Sequence, residues 1–263
     1  MLLRPDTIAK VTRRLASAGC ISAADEAREL VASAADVDAL DAGLRRRELG
    51  EPLAWITGFA LFCGHRIEVD RHVFVPRHQS EELARRAAAL LPDAGCGLDL
   101  CTGAGAIAAY LIHDRPHATI AATDVDIRAV RCARRNGVPA IVADLAAGLR
   151  HRGFDVVTAV APYVPTAELA FLPPDTRRYE PTVALDGGAD GLDVVRRVVG
   201  AASGALRPGG WFLTEIGGSQ AAAIETTLRR AGFEAITRWW DDDGDVRGIV
   251  ARLGAATSET DRR

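Results

Sequence analysis

The alternation of helix-type and strand-type hydrophobic patterns after residue 80 constrains the fold of this chain more than any other feature. Short apolar and β-branched runs, typical of buried strands, alternate with segments whose apolar residues recur at helical spacing. This order predicts an α/β fold, a doubly wound Rossmann-like sheet whose last two strands form an antiparallel hairpin at one edge. We predict its seven strands at 97–100, 119–124, 140–144, 154–160, 211–217, 234–240 and 246–253.

The first 75 residues show a different pattern, which predicts a separate organisation. Helical spacing predicts helices over 6–18, 22–34 and 36–49, and Glu51-Pro52 interrupts that pattern. The segment that follows is aromatic and β-branched, which is typical of strands. We therefore predict a helical N-terminal domain (1–50), a β-hairpin connector (51–75), a sheet domain (76–254) and a disordered tail (255–263).

Composition excludes several classes of protein. The chain has 263 residues, 25% of them charged, and a net charge of −3 without a basic half, so we expect no direct nucleic-acid binding. No apolar run approaches the roughly 20 residues of a membrane span, and the N-terminus has no secretory pattern. The 5 cysteines show no C-x-x-C spacing and the histidines form no cluster, so we expect free thiols and no metal. These features indicate a cytoplasmic protein, which we expect to be a monomer.

A glycine turn follows the first strand of the predicted sheet, in Asp99-Leu100-Cys101-Thr102-Gly103-Ala104-Gly105. Glycines between a strand and a helix allow backbone to approach a ligand closely. The G-x-G-x-x-G spacing of a dinucleotide site is absent, which disfavours a nicotinamide dehydrogenase. An acid before the glycines would repel a pyrophosphate, but it suits a cationic amino-acid group such as that of S-adenosyl-L-methionine. A tight turn without a ligand is the alternative.

Two further acids end the next two predicted strands and favour the ligand. A carboxylate at Asp124 can accept hydrogen bonds from both ribose hydroxyls, and Asp144 can reach an adenine amino group. Parallel strands place these carboxyl ends at one edge of the sheet, where open α/β sheets bind ligands. The predicted cofactor-binding residues for S-adenosyl-L-methionine are Asp99, Cys101, Thr102, Gly103, Gly105, Asp124, Val125, Asp144 and Leu145.

Five ordered motifs carry a family resemblance, which extends from about residue 51 to residue 253. The fourth strand ends in Val160-Ala161-Pro162-Tyr163, which resembles the N-P-P-Y of methyltransferases that act on planar nitrogens. The chain resembles the release-factor glutamine methyltransferase family, whose other motifs are E-P-x-x-Y-I-x-G, I-P-R-P-D-T-E, D-L-G-T-G-S-G-A-I and E-P-x-x-A-L-x-G-G-x-D-G-L. The matching segments are 51–58, 75–81, 99–107 and 180–192.

The resemblance implies a class I S-adenosylmethionine-dependent methyltransferase. That family methylates the side-chain amide of the glutamine in the Gly-Gly-Gln loop of peptide chain release factors, and its helical N-terminal domain helps to grip the release factor. Its Asn-Pro-Pro-Tyr holds the amide: the Asn side chain and a backbone carbonyl accept the N–H groups, and the Tyr packs on the flat group. The resemblance therefore implies catalytic positions at Val160, Ala161, Pro162 and Tyr163.

The chain departs from the family pattern at the acceptor site. Val160 replaces the Asn and can neither donate nor accept a hydrogen bond, and Ala161 replaces the first Pro. Cys101 replaces a glycine, and His78 and Gln79 replace a Pro-Asp pair. Three functions therefore stay open: glutamine methylation of a release factor, methylation of a small molecule or another protein, and cofactor binding without transfer. Glu215, at the end of the fifth strand, either faces the acceptor or bonds to a neighbouring loop.

Overall fold

The computed structural model describes residues 5–255, and its first elements are three helices. They are α1 (Pro5–Ser17), α2 (Ala23–Ser33) and α3 (Val37–Glu48), each within one residue of its prediction. Asp36 caps α3, since its Oδ1 accepts the Ala39 N–H at 2.8 Å. Their apolar faces form a small core of their own, which includes Leu15, Leu30 and Leu44. The division into domains nevertheless stays a prediction, and the predicted tail beyond residue 255 lies outside the described residues.

The connector begins with a helix that the sequence reasoning assigned to strands. Helix α4 (Leu53–Thr57) starts after Pro52 and is terminated by Gly58, whose φ is +82°. An antiparallel hairpin of β1 (Phe59–Phe62) and β2 (His65–Glu68) follows it. The aromatic composition of this segment predicted strands, but Trp55 lies on the helix and is buried in the core. It is 4% exposed, and its indole N–H donates to the Val73 carbonyl at 3.0 Å.

Seven strands form the main sheet, which confirms the predicted fold class. The order across the sheet is β5-β4-β3-β6-β7-β9-β8; the first five are parallel, and β9 runs antiparallel between β7 and β8. The strand order changes direction at β3, with β4 and β5 on one side and β6 and β7 on the other, and open α/β sheets bind ligands at the carboxyl ends of the strands at such a point. The bounds are β3 (Cys96–Leu100), β4 (Thr119–Asp124), β5 (Ala140–Val142), β6 (Phe154–Ala159), β7 (Leu206–Glu215), β8 (Phe233–Trp240) and β9 (Val246–Leu253).

Strand β7 starts five residues before its predicted start at 211. Pro208, Gly209 and Gly210 resemble a turn in the sequence, but they lie inside the strand. The pairing with β6 shifts there, from Phe154 opposite Leu206 to Val156 opposite Trp211. A bulge therefore absorbs the residues that indicated a turn.

Helices cover both faces of the sheet and give it two cores. Helices α5 (Ser80–Leu90), α6 (Ala106–Asp114) and α7 (Ile127–Arg135) pack on one face, and α9 (Asp193–Ala205) and α10 (Ala221–Arg230) pack on the other. The segment between β6 and α9 contains the short helix α8 (Pro174–Tyr179). Over residues 5–255, no helix has both the length and the apolar character needed to cross a bilayer.

Candidate active site

A cleft of about 1150 Å³, including the part open to solvent, lies at the carboxyl ends of β3, β4, β5 and β6. It brings together most of the residues that the sequence assigned to cofactor and acceptor. Of the predicted residues, Gly105, Ala161 and Tyr163 are not part of its lining. The predicted residues in its wall are Asp99, Cys101, Thr102, Gly103, Asp124, Val125, Asp144, Leu145, Val160 and Pro162.

The loop after β3 is built from three residues with positive φ. Cys101 has φ +55°, a conformation that costs a non-glycine residue roughly 1–2 kcal/mol, at the position where the family pattern has a glycine. A Cβ on Gly103 would project into open space, with no atom within 4 Å. A Cβ on Gly105 would meet the Ala133 Cβ at 2.9 Å. Gly103 therefore keeps backbone open to the cleft, whereas Gly105 is required for packing against α7.

Asp99 anchors this loop from below. It is 1% exposed, and its two carboxylate oxygens accept the hydroxyls of Thr102 at 2.6 Å and Thr158 at 2.7 Å. Burial raises the pKa of Asp99 to about 6, and the two hydroxyls act in the opposite direction. Both oxygens thus serve the loop and the neighbouring strand before any ligand binds.

Asp124 shapes the same loop from β4 and remains available to a ligand. Its Oδ2 accepts the Gly103 N–H and its Oδ1 accepts the Asp126 N–H, both at 2.9 Å. Burial raises the pKa of Asp124, and these backbone donors lower it. Each carboxylate oxygen retains a further lone pair that can accept a hydroxyl. The neighbouring Val125 is 54% exposed and offers the cleft an apolar surface.

Asp144 already has a partner that the sequence reasoning did not predict. Arg197, on α9, donates from Nη2 to both Asp144 oxygens, at 2.8 and 2.6 Å. Both residues line the cleft, next to Leu145, whose φ is +53°. A helical arginine on the surface carries no distinguishing signal in the sequence. An adenine amino group at this place would share Asp144 with Arg197.

The structure divides the four residues of the Val-Ala-Pro-Tyr segment between different surroundings. Val160 and Pro162 line the cleft. Ala161 is 2% exposed and packs in the core on the α9 side. Tyr163 lines a neighbouring, shallower cleft, and its carbonyl accepts the Gln220 side-chain N–H at 2.8 Å. Burial raises the pKa of Tyr163, and the charge of Glu215 acts in the same direction.

The glycine loop before α9 holds this segment from behind. The Val164 N–H donates to the Leu185 carbonyl at 3.1 Å, and the Gly187 N–H donates to the Val164 carbonyl at 2.9 Å. A Cβ on Gly187 would lie 2.8 Å from the Pro162 carbonyl oxygen, and a Cβ on Gly191 would collide with that of Tyr163. The glycines are therefore needed for close packing, not for contact with a ligand.

Residues of the connector and its surroundings close the cleft and were missed from the sequence. Phe62, His72 and Phe74 line it without any motif to identify them. Arg77 ties this segment to the loop after α8, since its Nη2 lies 2.5 Å from Oε1 of the buried Glu180. His78 and Gln79 are exposed outside the cleft lining. The side walls of the cleft are Phe62, His72, Val73, Phe74, Pro76, Ser80, Pro181, Val183 and Ala184.

The sheet order, the glycine loop and the acidic cleft are those of a class I methyltransferase. The family model called Methyltransferase small domain matches residues 78–163. The solved structure of a methyltransferase from Pyrococcus furiosus has the same fold, with a TM-score of 0.53, 18% identity, and coverage of 72% of this chain and 89% of that one.

Two relatives named release factor glutamine methyltransferase are similar over most of the chain. The protein of Geobacter sulfurreducens is 37% identical, over 80% of this chain and 76% of its own length. The protein of Cereibacter sphaeroides is 35% identical, over 99% of its length and 95% of this chain. This chain belongs to the release factor glutamine methyltransferase family and is an S-adenosylmethionine-dependent methyltransferase.

Proposed function

We propose that this enzyme transfers a methyl group to the side-chain amide of the glutamine in the Gly-Gly-Gln loop of a peptide chain release factor. One observation carries the proposal: a single cleft is lined both by the residues predicted for the cofactor and by Val160 and Pro162 of the acceptor segment. The two reactants can therefore meet without a rearrangement of the sheet. The names of the relatives supply the identity of the acceptor.

The cleft fits S-adenosyl-L-methionine by its shape and its charge. The open space above Gly103 leaves room for a ligand against the backbone, and Asp124 can accept the ribose hydroxyls. Asp99, Asp124 and Asp144 give the lining an acidic character, and the arginine of the lining, Arg197, is paired with Asp144. This charge suits a cationic amino acid and opposes a phosphate. When bound, S-adenosyl-L-methionine supplies a methyl group on a positively charged sulfur.

The task of the acceptor segment is to hold a weak nucleophile. The lone pair of an amide nitrogen is delocalised, so most of the catalysis comes from holding it in line with the methyl group. S-adenosyl-L-methionine would supply the methyl group from its sulfonium and would leave as the neutral thioether, and one N–H proton of the methylated amide would pass to solvent. The backbone carbonyls near Val160 and Ala161 can accept the amide N–H groups. The Val160 side chain cannot accept a hydrogen bond from the amide, so we expect slow methyl transfer.

A different acceptor is the second candidate function, and Val160 is the observation that favours it. An apolar side chain in the wall of the cleft leaves an amide N–H without a side-chain partner, which costs roughly 1–3 kcal/mol in a desolvated site. A small molecule or another protein without such a need would bind there at no such cost. Cofactor binding without transfer is the remaining alternative.

The partner and the location follow from the same proposal. The helical N-terminal unit, α1 to α3, would grip the release factor beside the cleft. A reaction on release factors belongs in the cytoplasm, and we propose a monomer as the active form.

Incubation with radiolabelled S-adenosyl-L-methionine and a release factor tests the proposed function. We expect label on the native release factor and none on a control release factor in which alanine replaces the loop glutamine. Calorimetry with S-adenosyl-L-methionine measures cofactor binding separately. Cofactor binding without label on either release factor would contradict the proposed acceptor.

A further inference from the structure

Glu215, the last residue of β7, is a buried carboxyl group with a free acceptor atom. It is 5% exposed, and its Oε1 has no hydrogen-bond partner among the residues that the structure describes. Buried polar atoms are nearly always paired in folded proteins, and an unpaired one calls for an explanation. A group that arrives with the substrate is one such explanation.

The register of the sheet puts Glu215 beside Val160. Thr214 pairs with Ala159 in the parallel strands β6 and β7, so the next residues along each strand lie side by side. Paired residues of neighbouring strands project on the same face of a sheet. Val160 packs against the core on the face covered by α5, which begins at Ser80. Val160 and Ser80, the two neighbours of Glu215, line the cleft, whereas Glu215 itself is not part of the lining, so its carboxyl lies next to that part of the wall.

Groups from three other segments surround this carboxyl. Ser80 approaches from α5, Arg247 from β9 and Tyr163 from the segment after β6. Arg247 is itself paired with Asp241, at 2.6 Å. Burial raises the pKa of Glu215 to about 7, while Ser80 and Arg247 lower it. The carboxyl therefore changes its ionisation near neutral pH and is not committed to a salt bridge.

We propose that Glu215 accepts an N–H of the methyl acceptor's amide and thereby replaces the side-chain oxygen that Val160 lacks. The inference rests on the proposed function, because it takes an amide as the acceptor. An amide that enters beside Val160 brings a donor to Oε1, the oxygen of the Glu215 carboxylate that has no partner among the described residues. The role is positioning by hydrogen-bond acceptance, and the carboxylate takes no proton from the amide.

Two variants of the residue separate hydrogen-bond acceptance from packing. Glu215→Met keeps the size of the side chain and accepts no hydrogen bond, so we expect kcat/KM for the release factor to fall about 100-fold. Glu215→Gln keeps an accepting oxygen, so we expect it to retain activity within about tenfold of the native enzyme. Glu234→Gln, the same change at an exposed position of β8, is the matched control and should change nothing. Thermal unfolding and cofactor affinity by calorimetry show whether each variant is intact.

The pH dependence gives a readout that a purely structural role would not change. The ionised carboxylate is the better acceptor, so kcat/KM of the native enzyme should rise with pH through about 7. Glu215→Gln cannot ionise and should lose this rise, whereas Glu234→Gln should keep it.

The Val160→Asn background tests whether Glu215 compensates for the lost side chain. There the introduced amide supplies the oxygen, so Glu215→Met should cost less than about tenfold. Equal kcat/KM for the native enzyme, Glu215→Met and Glu215→Gln would overturn the role of Glu215 but leave the proposed function intact. The same conclusion would follow if Glu215→Met and Glu215→Gln were equally inactive and still bound the cofactor. Intact cofactor binding without transfer by either the native enzyme or Val160→Asn would overturn the proposed acceptor, and this role with it.

Discussion

The Glu215→Gln substitution should change the pH dependence of stability. The pKa of Glu215 is raised from 4.5 to about 7 in the folded protein, mainly because burial disfavours the charged form. The folded state therefore holds this proton more tightly than the unfolded chain does. The stabilisation is fully present below about pH 4.5 and is lost as the pH rises through about 7.

The size of this effect follows from the shift in pKa. Each unit is worth about 1.4 kcal/mol, so the native protein should lose about 3 kcal/mol from this group between pH 4 and pH 8. Gln cannot ionise and loses nothing. The difference in free energy of unfolding between variant and native should therefore move by about 3 kcal/mol in favour of the variant. Other titrating groups, such as Asp99 with its pKa of about 6, are present in both proteins and cancel.

Urea denaturation followed by tryptophan fluorescence measures this difference at a series of pH values. For Glu234→Gln, at an exposed position, the difference in free energy of unfolding from the native protein should be the same at every pH. If the difference between Glu215→Gln and native were the same at pH 4 and pH 8, the carboxyl would not be desolvated, and our description of this side of the site would be wrong.

Three further predictions concern other parts of the molecule. Asp124→Ala should weaken S-adenosyl-L-methionine binding at least tenfold in calorimetry, because two charge-assisted hydrogen bonds are lost. The control Asp93→Asn, at an exposed position, should leave the affinity unchanged. Equal affinities of the native protein and Asp124→Ala would remove Asp124 from the site. Gly191→Ala should lower methyl transfer at least tenfold and retain cofactor affinity, because the added Cβ collides with the Tyr163 carbonyl. Gly200→Ala, whose added Cβ would lie in open space on α9, should leave methyl transfer unchanged. Unchanged transfer by Gly191→Ala would refute the packing role. Apart from cuts in the predicted disordered tail, limited proteolysis should cut first between residues 45 and 80 if the predicted domain division holds, and the absence of any cut there would count against it.

The sequence was informative wherever hydrophobic pattern and local turn chemistry determine the structure. Strand β4 and the last strand have their predicted bounds, because apolar and β-branched residues predominate in both runs. Asp99 and Asp124 lie at the cleft because the carboxyl ends of parallel strands share an edge. The bounds of β7 were wrong because a bulge can hide turn residues inside a strand.

Contacts between distant segments could not be derived from local pattern. The pairing of Arg197 with Asp144 joins residues 53 positions apart, and nothing in either neighbourhood indicates it. The separation of Val160 from Tyr163 depends on how the glycine loop packs behind them. The unpaired oxygen of Glu215 likewise depends on which residues of other segments surround it, and its position beside Val160 depends on the register between β6 and β7.

Methylation of the release-factor glutamine by the native enzyme and by Val160→Asn tests the central claim most directly. Mass spectrometry of the peptide that contains the Gly-Gly-Gln loop locates the methyl group and gives its rate of appearance. We predict slow methylation of that glutamine by the native enzyme and a gain of about tenfold or more in the variant, because the introduced amide restores a hydrogen-bonding side chain. An ordinary turnover of about 1 per second by the native enzyme, without a gain in the variant, would show that the side chain at position 160 is dispensable. An unmethylated glutamine with both proteins, although both bind S-adenosyl-L-methionine, would contradict the proposed reaction itself.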